Sequence, residues 1–121
     1  MATVLVVDDM AVFREPIAAA LRFRGIHTLC AEDGLDALRQ LENETPDLIL
    51  LDVAMPRMDG LALLCALRQD RRHKDIAVIL LTAISDRDHI IKAGKLGVRD
   101  YMLKSRFSLD EMFARIDRHI D

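Results

Sequence analysis

A doubly wound α/β fold is predicted by three features of this 121-residue chain. Five short apolar runs alternate with five segments of helical spacing. The first, third and fourth runs are nearly continuous Val, Ile and Leu, which suits strands of a parallel sheet covered on both faces. No internal linker, repeat or low-complexity tract breaks the alternation. Strands alternating with helices imply right-handed βαβ crossovers.

The first strand, Thr3–Val7, stops at Asp8-Asp9. A helix is expected from near Val12, with Phe13, Ile17, Ala20 and Leu21 as its apolar stripe. Pro16 then falls in the first turn, where no intrahelical N–H bond is lost. The second strand, His27–Ala31, stops at Glu32-Asp33-Gly34, and Leu35, Leu38 and Leu41 make the next stripe. The third strand, Leu48–Leu51, stops at Asp52, and the following helix carries Leu61, Leu64 and Cys65. The fourth, Ala77–Leu81, stops at Thr82, with a less clean helical pattern over about residues 85–96. Ile90 and Ile91 in that helix lie roughly 100° apart, so one packs inward. Ile91 is expected inside and Ile90 exposed near Tyr101, where it would suit a partner-binding face. The fifth and weakest strand, Asp100–Leu103, stops at Lys104. The last helix is the clearest: Leu109, Met112, Phe113, Ile116 and Ile120, opened by Ser108 and Glu111 at capping-box spacing.

The composition is that of a soluble globular domain, 51% hydrophobic and 31% charged. Its length suggests one domain over residues 1–121, able to bury roughly two-thirds of its unfolded surface. The net charge of −3 lacks the basic footprint of a nucleic-acid binder. The N-terminus has no basic leader pattern, and no segment approaches the ~18 apolar residues of a membrane span. Cys30 and Cys65 lack metal or redox spacing and are expected as buried free thiols in a reducing compartment. A cytoplasmic protein is the expectation. His27, His73, His89 and His119 share no metal-site spacing and are expected at the surface or partly buried. Met10, Met55 and Met58 read as packing and loop residues, and the run from Arg68 to Lys74 as a solvated loop.

Open parallel sheets bind ligands outside the carboxyl ends of their strands. The residues there are Asp8, Asp9, Asp52, Thr82 and Lys104. Each has an ordinary alternative. The paired acids could cap the first helix. Asp52 could occupy a turn, Thr82 could cap a helix, and Lys104 could be solvated. The joint set has a chemical logic instead. Adjacent carboxylates repel, and a hard cation with oxygen ligands relieves that repulsion. Carboxylate attack on a phosphoryl group meets like charge, which a divalent metal offsets. A phosphoryl group on Asp52 would find partners in the metal, Lys104 and the Thr82 hydroxyl or a backbone N–H. The product, an acyl phosphate, is labile to water.

These residues resemble the response-regulator receiver family of two-component signalling, over essentially the whole chain. The resemblance rests on Val6-Val7-Asp8-Asp9 and on Asp52-x-x-Met55-Pro56-x-Met58-Asp59-Gly60. It continues through Leu81-Thr82-Ala83, Leu96-Gly97 and Asp100-Tyr101-Met102-Leu103-Lys104. It implies a flavodoxin-like sheet of order 2-1-3-4-5, with Asp52 as phosphoacceptor. It implies Mg²⁺ (or Mn²⁺) held by Asp8, Asp9, Asp52 and the Ala54 backbone carbonyl, Asp8 largely through water. Lys104 would contact the phosphoryl group, and Thr82 and Tyr101 would form the switch pair. The donor would be a phosphohistidine on a sensor kinase or phosphotransfer protein. Signalling would run through the face of the fourth helix, fifth strand and fifth helix, toward an effector or a C-terminal output domain. A phosphorylation-dependent homodimer is left open, as is whether the chain stands alone or was cut from a longer regulator.

One position departs from the family. Ser105 stands where Pro usually follows the lysine in a cis bond. A cis non-proline bond costs about 2.5–4 kcal/mol, so a trans Lys104–Ser105 bond is expected. Ala54 and Ile84, two residues beyond Asp52 and Thr82, are apolar, so neither should assist hydrolysis of the phosphoryl group. Two other functions compete. A phosphatase working through an aspartyl-phosphate would carry Asp-x-Asp-x-Thr, and Asp52-Val53-Ala54 lacks the second acid. A degenerate receiver would act only as a binding module, which the intact Asp8, Asp9, Asp52, Thr82 and Lys104 oppose. No glycine-rich nucleotide loop is present in the sequence.

Overall fold

Side chains along a strand alternate between the two faces of a sheet, and here both faces are apolar. The computed structural model describes residues 2–53, 55, 57–83 and 87–120. In chain order it contains β1 (Thr3–Val7), α1 (Ala11–Phe23), β2 (His27–Ala31), α2 (Gly34–Asn43) and β3 (Leu48–Leu51). There follow α3 (Gly60–Gln69), β4 (Ala77–Thr82), α4 (Arg87–Lys95), β5 (Asp100–Leu103) and α5 (Leu109–His119). A 3₁₀ turn, Lys104–Arg106, joins β5 to the final segment. The strands pair in parallel in the order β2-β1-β3-β4-β5, as expected. Leu5, Val7, Ile49 and Leu51 pack with α2 and α3 on one face. Val4, Val6, Leu48 and Leu50 pack with Ile17 and Leu21 of α1 and Met112 and Ile116 of α5 on the other.

The strand spans match the apolar runs closely and the stripes of α1 and α5 pack as expected, while the faces of α2, α3 and α4 need correction. Pro16 lies in the second turn of α1, because the helix begins at Ala11 and Arg14 N–H already bonds the Met10 carbonyl. Pro16 therefore does cost a bond, to the carbonyl of Val12, a residue 72% exposed where water can reach it. In α2 the inward residues are Gly34, Ala37 and Leu41, whereas Leu35 is exposed. In α3 they are Gly60, Leu63, Leu64 and Leu67; Cys65 is exposed. That helix is apolar on nearly every side, so only its seat on the sheet selects the buried face.

The isoleucines of α4 are reversed from expectation. Ile91 is 53% exposed, and Ile90 packs against the core. The inward anchor of α4 is Ala93, and a residue three positions earlier shares its face. Cys30 is half-buried rather than buried, and that burial pushes its thiol pKa up. His73 is buried, with Nδ1 3.4 Å from Asp70 Oδ2, rather than at or near the surface. Ser108 accepts from the Glu111 N–H as expected, but Glu111 turns its carboxylate to Arg115, so only half of the capping box forms. Among the described residues, no helix is long and apolar enough to cross a membrane.

Candidate functional site

The strand order reverses direction between β1 and β3, and the acids stand at that point. The sheet's hydrogen bonds continue one residue beyond both strands. Asp8 N–H donates to the Ala31 carbonyl (3.1 Å), and Asp52 N–H to the Val7 carbonyl (2.9 Å). Both carboxylates are thereby held at the rim of the sheet and are buried, while Asp9 is exposed. One oxygen from each of Asp8, Asp9 and Asp52 lies within 4.8 Å of the others. Asp8 Oδ1 accepts from Met10 N–H (2.9 Å). Asp8 Oδ2 is buried and faces the Lys104 ammonium at 3.0 Å. Three carboxylates this close together, two of them buried, are the donor set of a hard, oxygen-binding divalent cation.

Lys104 reaches this cluster from the end of β5. Its Nζ lies 3.0 Å from Asp8 Oδ2, in ion-pair contact, and donates to Asp52 Oδ2 at 3.3 Å. The ammonium also sits 4.6 Å from the Phe13 ring centroid and 4.0 Å from Met10 Sδ. The Lys104–Ser105 bond is trans, as expected, and the 3₁₀ turn still directs the side chain inward. Burial opposes the ammonium's charge, but Asp8 and Asp52 outweigh it and hold the Lys104 pKa above its ordinary value.

The loop after Asp52 is packed tightly at two points. Gly60 N–H donates to the Val53 carbonyl (2.8 Å), and a Cβ at Gly60 would sit 2.7 Å from Val53 Cα and against the Asp52 carbonyl oxygen. Gly34 N–H donates to the Met58 carbonyl (3.0 Å), and a Cβ at Gly34 would collide with Met58. Asp59 caps α3 by accepting from Ala62 N–H (2.9 Å). Arg57 has φ 62°, the left-handed region, at a cost of roughly 1–2 kcal/mol for a non-glycine residue. Its Nε donates to buried Asp33 Oδ2 (2.6 Å), and its Nη2 lies 3.8 Å from Glu32. Asp33 in turn accepts from Asp36 N–H (2.8 Å) and caps α2. That amide bond, aided by Arg57, holds the Asp33 carboxyl pKa below its ordinary 3.8.

These shifts set a pH dependence with opposite signs at its two ends. A lowered Asp33 pKa stabilises the fold above the ordinary 3.8, and that contribution is lost as pH falls through the folded value. A raised Lys104 pKa stabilises the fold below the ordinary 10.5, and that contribution is lost as pH rises through the folded value. Urea midpoints should therefore fall at both extremes. Asp33→Asn should flatten the acid limb alone.

Thr82 is fully buried at the end of β4, in register with Leu103, the residue before Lys104. Tyr101 is 47% exposed and lines an apolar cavity of about 390 Å³ with Ile90, Ile91 and Leu103. Ala54 and Ile84 lie outside the described residues. Sequence reasoning missed Arg57, the unspecified position of the Met-Pro-x-Met-Asp-Gly segment, and placed Phe13 only in a core stripe. It also missed Arg14, whose Nη1 donates to the Asp8 carbonyl (2.8 Å).

The profile of the family described as "Response regulator receiver domain" matches residues 4–117. The chain belongs to the response-regulator receiver family. This receiver domain is 41% identical over 117 residues to the DNA-binding transcriptional regulator NtrC of Escherichia coli K12, covering 97% of this chain and 24% of that one. It is 40% identical over 114 residues to the phosphate regulon regulator PhoB of Pseudomonas aeruginosa, covering 94% and 49%. The domain thus spans about a quarter of the one relative's length and about half of the other's. Among solved structures it is similar to a response regulator receiver protein from Pseudomonas putida (TM-score 0.89, 29% identity, 97% and 96% covered). The chemotaxis response regulator CheY4 of Vibrio cholerae superposes with a TM-score of 0.90 at 27% identity over 99% of both chains. Phosphoacceptance is general to receiver domains, which are regulatory.

Proposed function

We propose that residues 1–121 act as a single phosphoacceptor domain, with Asp52 as the acceptor. One observation carries this reading: buried Asp52 shares a 4.8 Å cluster with the oxygens of Asp8 and Asp9 and bonds Lys104 at 3.3 Å. An Asp52 carboxylate oxygen attacks the phosphorus of a phosphohistidine on a sensor kinase or phosphotransfer protein. The P–N bond breaks, its electron pair returns to the imidazole, and that nitrogen takes a proton. Asp8, Asp9 and Asp52, with the Ala54 carbonyl, would hold Mg²⁺ or Mn²⁺, which offsets the anionic repulsion between nucleophile and phosphoryl group. Lys104 supplies a second positive charge beside Asp52, held by its contacts to Asp8 and Phe13. The Thr82 hydroxyl accompanies the phosphoryl oxygens, and Tyr101 turns inward as its partner in the switch. Water attack on the acyl phosphate releases phosphate and restores the carboxylate.

The output face in this reading is α4-β5-α5, which carries Tyr101 and the exposed Ile91. Its partner is an effector, an output domain or a second phosphorylated copy. The proposed setting is the cytoplasm, with neither nucleic acid nor membrane bound directly by this domain.

Intact-protein mass after incubation with a small phosphodonor and Mg²⁺ is the test. The expected result is a gain of one phosphoryl group, lost with chelator and absent in Asp52→Asn. A full gain in Asp52→Asn would sink the assignment of the acceptor. No gain in the parent would favour a degenerate receiver.

A further inference from the structure

We propose that Arg57 is a positioning residue for the Asp52 site, clamping the loop that follows Asp52 onto the start of α2. The inference rests on the phosphoacceptor reading above. Arg57 is the one described non-glycine residue with a left-handed backbone. A glycine would adopt that conformation without strain, and strained residues persist where their surroundings over-determine them. The surroundings here are Asp33 and Glu32, across from the loop. Arg57 Nε donates to Asp33 Oδ2, and Nη2 pairs with the same oxygen and lies near Glu32.

Asp33 gives this contact its reach. Its Oδ1 caps α2 through Asp36 N–H, while its Oδ2 takes the guanidinium. One buried carboxylate therefore ties a helix N-terminus to the loop. The tie is doubled by the backbone bond from Gly34 N–H to the Met58 carbonyl, next to Arg57. At the loop's far end Gly60 N–H bonds Val53, the residue after Asp52. The guanidinium also lines a cleft of about 340 Å³ together with Asp9, Glu32 and Asp33. Asp9 belongs to the acid cluster, so the clamp borders the same edge of the site. A fork of donors holds this geometry where a point charge such as an ammonium would not.

The test pairs R57G, whose backbone tolerates positive φ, with R57K, which keeps the charge and loses the fork. Two readouts are needed: amide exchange at Gly34 and Gly60, and phosphorylation rate at saturating Mg²⁺. Both variants are expected to exchange faster at these amides and to take up phosphoryl groups about tenfold to a hundredfold more slowly, with slower uptake persisting at high Mg²⁺. Unchanged exchange in R57G overturns the clamp. Faster exchange with an unchanged rate overturns the positioning role, and full recovery in R57K overturns the need for the fork. Absence of uptake in the parent would defeat the phosphoacceptor reading instead, and the exchange data would still decide the clamp.

Discussion

Lys104→Met is expected to lower the unfolding free energy of the metal-free protein by about 1–3 kcal/mol, less than the ~3–5 kcal/mol lost when a fully buried charge pair is broken, because Lys104 is itself only partly buried. The reason is the company Lys104 keeps. Its Nζ lies against two carboxylates, Asp8 and Asp52, which are themselves buried. Methionine fills most of the volume beside Phe13 but leaves two like charges facing each other with no cation. Mg²⁺ should therefore stabilise the variant more than the parent, because Lys104 no longer competes for the same oxygens. Urea midpoints with and without Mg²⁺ provide the measurement. An unchanged midpoint in metal-free buffer would mean that solvent already screens the pair. Phosphorylation of the variant should remain slow even when Mg²⁺ restores its stability, since the ammonium that contacts Asp52 is gone.

Gly60→Ala is expected to cost about 2–3 kcal/mol, near the upper end for overpacking, and to slow phosphorylation as well. The added Cβ would meet backbone, the Asp52 carbonyl and Val53 Cα, rather than the end of a flexible side chain. Backbone at the end of β3 cannot move without moving Asp52, whose N–H is bonded to Val7. The stability loss and the activity loss should therefore appear together. Gly94→Ala is the control, because a Cβ at Gly94 meets nothing within 4 Å. A Gly60→Ala variant with the parent's melting behaviour and phosphorylation rate would show that the loop relaxes without disturbing Asp52.

Much of the site was legible because its residues stand where apolar runs stop. Asp8, Asp52, Thr82 and Lys104 follow or end strands whose hydrophobic character is plain in the chain. Arg57 was not legible in that way. Its importance comes from a positive φ and from Asp33, 24 positions away in the sequence. Phe13 was read as core, and it is also the ring against which Lys104 rests.

The sequence by itself determined the order and type of the elements, the strand spans and the set of groups at the sheet's carboxyl edge. These are local properties: hydrophobic runs define strands, and what ends a run stands at a strand end. Only the tertiary structure decided which faces α2, α3 and α4 bury, whereas the stripes of α1 and α5 pack as their spacing predicts. Leu35 and Ile91 point outward, and Ala37 and Ile90 pack inward. A helix with apolar residues on several sides can rotate on its seat, and the choice falls to the shape of the sheet and the neighbouring helices beneath it. The same holds for Lys104 between Asp8 and Asp52, because that contact depends on strands distant in the chain becoming neighbours in the sheet.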